Sequence, residues 1–312
     1  VGHASRTVEE CLRLAREACA LGAQLDAAGI DWISIKGPAL AQLAYGATSS
    51  KASRDFDILV APQDLPTVVA LLGAEGYMRV EPGPEIADHQ LVAWMRYYKD
   101  CGWRHPASGM LVEVHCRLFA NRLLMPSISL ASARQQVTLP GIGTLPTLAP
   151  IPLYAYLTGH GAVSAWSRLK WLADVAALVR ALSAAEIVAL HGEAVALGAA
   201  RCSAQTLLLA ERLLGLPLPN GLATALRRDR AVRRLEQVAL AELGARDETG
   251  EADWSGFATL PSQAAHLLLG GNWRYVGTEI AQKVANPVDR ARAAFCPAGR
   301  AASIPCSQHA VT

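Results

Sequence analysis

Nowhere in the 312 residues is there an uncharged apolar run of about 18, the length a helix needs to cross a membrane, and no charged-then-apolar leader opens the chain. A cytoplasmic protein without a membrane partner is therefore the expectation. Charge of one sign is lacking too: 29 Lys and Arg stand against 27 Asp and Glu, a formal net charge of +2. That balance excludes the broad basic field of a dedicated nucleic-acid binder, so nucleic acid is not an expected partner and phosphate contacts must be local. The seven cysteines (Cys11, Cys19, Cys101, Cys116, Cys202, Cys296 and Cys306) show no CxxC spacing, which argues against a zinc site and against a disulfide framework. The eight histidines are dispersed without ligand spacing, and there is no internal repeat.

What is present suits a large core: 52% of the residues are hydrophobic. Thr7 and Glu10 read as a capping box that opens a helix, which Gly29 stops. Residues 32–35 read as a short strand, Gly37-Pro38 opens a second helix, residues 56–60 form a strand, and residues 65–74 form a helix. Two further strands are expected at 91–98 and 110–115, joined by a turn-rich loop at 100–109. Beyond Pro146 strands stop and helices are expected at 151–158, 166–182, 184–197, 200–214 and 226–243, with a capping box at Ser183 and Glu186. The fold class that results is α/β (α+β), with an N-terminal mixed sheet and flanking helices followed by an all-helical half. The expected boundaries are 1–146, 147–295 and a weakly ordered tail at 296–312, with a polar linker at 246–256.

The chemistry-bearing residues start with SRDFDILV, residues 53–60. A strand alternates its side chains, so Asp55 and Asp57 share one face, within reach of a hard cation, while Phe56 points to the other. A solvated strand start would also carry such a pair. Gly37 at a helix start leaves backbone N–H groups free for phosphate oxygens, and Lys36 adds charge; a plain tight turn is the competing reading. In LVEVH, residues 111–115, Glu113 is one acid amid apolar residues, costly to bury unless paired or metal-bound, and otherwise solvent-facing. His115 lies on the same face as Glu113 and is a possible substrate contact. The arginine-rich 226–236 segment reads as a solvated helix face.

Together, Lys36-Gly37, Arg54-Asp55-Phe56-Asp57 and Val112-Glu113-Val114-His115 resemble the nucleotidyltransferase domain of the DNA polymerase beta superfamily. More closely they resemble its branch of uncharacterised bacterial nucleotidyltransferases, although a Lys-Gly turn stands where many relatives have Gly-Ser. The segment 157–179 is similar to the same branch at His160, Arg168, Lys170 and Asp174, and the resemblance spans about residues 10 to 180. Lys170 and Asp174 also have the spacing of a simple helix-face ion pair, and Trp166 and Trp171 are either core residues or platforms for a base.

The resemblance implies a nucleotidyltransferase-like catalytic domain in which Asp55, Asp57 and Glu113 hold two Mg²⁺ ions. Glu113 is then also the candidate base. Lys36, Gly37, Arg54, His160, Arg168 and Lys170 would bind the nucleotide, an NTP co-substrate and most simply ATP. The implied reaction moves a nucleoside monophosphate to a hydroxyl or phosphate of a small-molecule or peptide acceptor, as in natural-product tailoring. A phosphotransferase on the same scaffold and an inert nucleotide- or partner-binding protein remain as alternatives.

Overall fold

The computed structural model describes residues 2–51, 55–244 and 260–284. Among the described residues, helices alternate with strands as far as β4, and β4 to β7 then follow one another: α1 (Gly2–Ala27), β1 (Trp32–Ser34), α2 (Pro38–Tyr45), β2 (Asp55–Val60), α3 (Leu65–Ala74), β3 (Met78–Glu81), α4 (Leu91–Trp94), β4 (Asp100–Arg104), β5 (Leu111–His115), β6 (Arg134–Leu139) and β7 (Gly143–Leu148). The strands make one mixed sheet in the order β3-β4-β5-β2-β1-β7-β6. β2, the strand with the two aspartates, is therefore central. It pairs antiparallel with β1 and parallel with β5.

Both faces of this sheet are covered, which is why β2 reads as a nearly continuous apolar run. Phe56, Ile58 and Val60 enter one core with Leu14, Ala18, Leu21 and Leu25 of α1 and Leu65, Val68 and Leu72 of α3. Leu59, Ile33 and Ile35 enter the other, which continues into the helical half. That half comprises α5 (Pro150–Val163), α6 (Leu169–Val179), α7 (Ala184–Ala196), α8 (Ala200–Leu214), α9 (Asn220–Arg228), α10 (Arg230–Gly244), α11 (Leu260–Leu269) and α12 (Trp273–Val284). The α/β architecture with a helix-dominated second half is thus as expected. The capping box at the start of α7 is also present, with Ser183 N–H donating to Glu186 Oε2 at 2.7 Å.

Several elements differ from expectation for local reasons. Residues 91–98 are not a strand: Leu91, Trp94 and Met95 are buried at helical spacing, and Trp94 stacks on Tyr98 with ring centroids 3.8 Å apart. The hairpin partner of β5 is instead β4, inside the stretch expected to be loop, where Cys101 and Trp103 are buried. β6 and β7 were hidden by their polar residues, and β7 runs through Pro146. Thr7 and Glu10 lie inside α1, which already begins at Gly2. The single helix expected at 226–243 divides at Asp229, whose Oδ1 accepts the N–H of Ala231 at 2.7 Å and caps α10. The 246–256 linker and the 296–312 tail lie outside the described residues.

The helix expected from Trp166 begins only at Leu169, because Ala165 and Trp166 take positive φ values of 47° and 52°. This turn folds the fully buried Trp166 indole back onto Gly161, where an added Cβ would meet the ring at 2.3 Å. Gly161→Ala gains roughly 1 kcal/mol of helix propensity but loses about 1–3 kcal/mol to overpacking against a ring with nowhere to move. A net fall in Tm relative to wild type is the expected outcome in a thermal melt.

Candidate active site

Strand register builds the site. In the parallel β2–β5 pair, Asp57 stands opposite Glu113 and Leu59 opposite His115, so the three polar side chains emerge on one face. Asp57 is completely buried, His115 is 2% exposed, and the Glu113 side chain is 29% exposed. One ligand atom from each lies within 4.8 Å of the others. His115 Nε2 is 3.2 Å from Asp57 Oδ1 and 3.5 Å from Glu113 Oε2.

β1 delivers the fourth member. Ile35 N–H donates to the Asp57 carbonyl at 3.1 Å, and the Ser34 hydroxyl donates to the Lys36 carbonyl at 2.9 Å. These bonds set the end of β1 so that Lys36 Nζ lies 3.0 Å from Asp57 Oδ1. Gly37 then turns the chain into α2 with φ 72°, a conformation that favours glycine, and an added Cβ would lie 3.5 Å from the Asp55 carbonyl oxygen.

The electrostatics follow from this enclosure. Burial alone would push the Glu113 carboxyl up; the hydrogen bond and charge of His115 and the Lys36 ammonium outweigh it and hold Glu113 at about 2. A carboxylate held so low is a firm anion and a weak base. Burial also opposes the charged form of Lys36, yet Asp57, with Tyr156, Asp55 and Glu113, keeps it an ammonium well above the usual lysine value. Burial and then the Lys36 charge push His160 well below the usual histidine value, so it is neutral. Among the described residues, Asp57 Oδ2 is buried with no hydrogen-bond partner. An orphaned anionic oxygen beside a second carboxylate and an imidazole is a fitting seat for a divalent cation.

The residues singled out in the sequence fall in three groups. Lys36, Gly37, Asp57, Glu113 and His115 meet at the site. Asp55 is half-buried on the same strand face, outside the group of three ligand atoms, where its charge acts on Lys36, Tyr156 and Lys170. From the helical half, His160 sits with its ring centroid 4.9 Å from that of Trp171 and feels the charges of Lys36 and Asp57. Arg168 lies over the Trp171 ring at 5.4 Å. Arg54 lies outside the described residues.

The ion pair expected between Lys170 and Asp174 is not the one formed. Asp174 is 2% exposed and faces α2, where Lys51 Nζ reaches its Oδ2 at 2.7 Å and Tyr45 OH donates to its Oδ1 at 2.9 Å; Lys170 is exposed. Sequence reasoning also missed Lys99, Asp100 and Tyr156. Asp100 stands opposite His115 in the β4–β5 ladder, with its Oδ2 3.7 Å from His115 Nδ1, and Lys99 pairs with Asp100. The charge of Lys99 acts on Glu113, Lys36 and Asp57. Identifying β4 as a strand would have exposed both.

A family model described as an uncharacterised nucleotidyltransferase matches residues 3–215, well over half of the chain. No curated protein matches the sequence.

Two outcomes follow from these charges. Removing Asp174 leaves the Lys51 ammonium buried without its partner, so Asp174→Ala should lose about 3–5 kcal/mol of stability by urea unfolding. Glu113 is held at about 2 against its ordinary value of 4.5, so its ionised form stabilises the fold fully above about pH 4.5 and loses that contribution as pH falls through about 2. The stability of Glu113→Gln should accordingly change less with pH across that window than wild type does.

Proposed function

The chain belongs to the family of uncharacterised nucleotidyltransferases, and we propose that it transfers the nucleoside monophosphate of an NTP, ATP with Mg²⁺, to a hydroxyl or phosphate of a small-molecule or peptide acceptor. The observation that carries this is the buried, unpartnered Oδ2 of Asp57 beside Glu113 and His115. Those three residues, with Asp55 from the same strand face, would hold the divalent ion. Bound there, the ion neutralises charge on the transferred group and the departing pyrophosphate.

The chain's own residues divide the remaining work. Lys36 uses one N–H on Asp57 and keeps two for phosphate oxygens. Backbone N–H groups at the start of α2, opened by Gly37, face the triphosphate, and Arg54 adds charge just before β2. The helical half from α5 onward supplies the other wall, with Arg168 and Lys170 as cations and neutral His160 beside Trp171. In the transfer, an acceptor oxygen bonds to the α-phosphorus, the bond to the β-phosphate bridging oxygen breaks, and pyrophosphate leaves with that electron pair. Glu113, held at about 2, would serve as a cation ligand, and the acceptor proton passes to solvent.

The test uses ATP labelled at the α or the γ phosphate, Mg²⁺ and a pool of small-molecule and peptide acceptors. Label should transfer from the α position, and Asp57→Asn should reduce transfer by about a thousandfold while the melting transition persists. Transfer from the γ position alone would replace nucleotidyl transfer with phosphotransfer. Absence of any Mg²⁺-dependent ATP binding would leave the inert partner-binding role.

A further inference from the structure

We propose, building on nucleotidyl transfer at this site, that the Lys36 ammonium is a resident second cation of the centre, so that the site takes one divalent ion where the resemblance alone implies two. Asp57 has two carboxylate oxygens and they are not equivalent. Oδ1 is engaged by Lys36 Nζ at 3.0 Å, and Oδ2 is the buried oxygen without a hydrogen-bond partner among the described residues. A second divalent ion shared through Oδ1 would have to sit beside an ammonium already at ion-pair distance, which leaves Oδ2 as the oxygen open to a dication.

Lys36 is held where it stands. Its side chain is 15% exposed, its carbonyl accepts the Ser34 hydroxyl, and the residue after it is fixed at φ 72° by the entry into α2. A divalent ion approaching Oδ1 would meet this ammonium at close range, with the charge of Lys99 also acting on the same carboxylates. Like charges in a poorly hydrated space repel strongly. What a second ion would do, bridging Asp57 to a phosphate oxygen, the ammonium does with the N–H groups that Asp57 leaves free. Lys36 is thus a positioning residue whose charge sets the metal count.

The count can be measured directly on the full chain. Equilibrium dialysis against Mn²⁺ and a non-hydrolysable ATP analogue, followed by metal analysis, should give one ion per chain in wild type and in Lys36→Arg, which keeps the charge. Lys36→Met keeps the stem but removes the ammonium from Oδ1, and its count should rise to two. Two ions in wild type, or one in Lys36→Met with the fold verified by its melt, overturns the inference while leaving nucleotidyl transfer standing. Retention of neither ion nor analogue by wild type overturns it together with the function on which it rests.

Discussion

Asp57 sits on the central strand of a sheet covered on both faces, and a carboxylate in that position must be neutralised where it stands or it unfolds its own neighbourhood. The desolvation cost is several kcal/mol for one buried ion, a large fraction of the stability of a whole domain. Lys36 and His115 offset it on one oxygen. Their placement in turn demands the β1–β2 pairing, the positive-φ turn at Gly37 and the parallel β2–β5 register. Sheet order, turn conformation and site charge are consequently one requirement seen at three scales. Oδ2, without a hydrogen-bond partner among the described residues, is the part of that requirement those residues do not meet.

The helical half completes the enclosure. Ile33, Ile35 and Leu59 share one continuous core with α5, α6 and α8, so the face of β2 that bears Asp55 and Asp57 looks toward these helices. His160 can be neutral and near Asp57 only because α5 rides on this core, and the Trp166 turn over Gly161 sets where α6 begins. From α6, Asp174 binds Lys51 and Tyr45, tying the helical half to the segment that runs into β2. A buried ion pair is a poor source of net stability but a strict geometric restraint.

Much of this was legible in the sequence because it is local. Period-two alternation put Asp55 and Asp57 on one face, Gly37-Pro38 marked a helix start, and the lone Glu113 in an apolar strand signalled an unusual burial. What failed depended on pairings distant in the chain. The run LVAWMRYY is apolar and aromatic enough to suit a strand, and the burial of Leu91, Trp94 and Met95 beside α3 makes its first four residues a helical turn instead. With β4 unrecognised, Asp100 had no register opposite His115 and Lys99 no reason to matter. Lys170 and Asp174 have ideal spacing for a pair, yet the tertiary fold offers Asp174 a buried partner in Lys51, 123 positions away by number, and no local rule anticipates that.

Asp57, finally, is the deepest of the three acids, and that depth assigns its duty. Asp57 is innermost, completely buried and doubly engaged through Oδ1, so it is a fixed reference for whatever binds. Glu113 is partly exposed and held at about 2, an anion at every physiological pH. Asp55, half-buried where β2 begins, is the acid whose charge reaches Lys170 in the helical half. Lys36 from the first half and Lys170 from the helical half act on these carboxylates, and under the proposed function such cations let an acidic centre receive an anionic substrate.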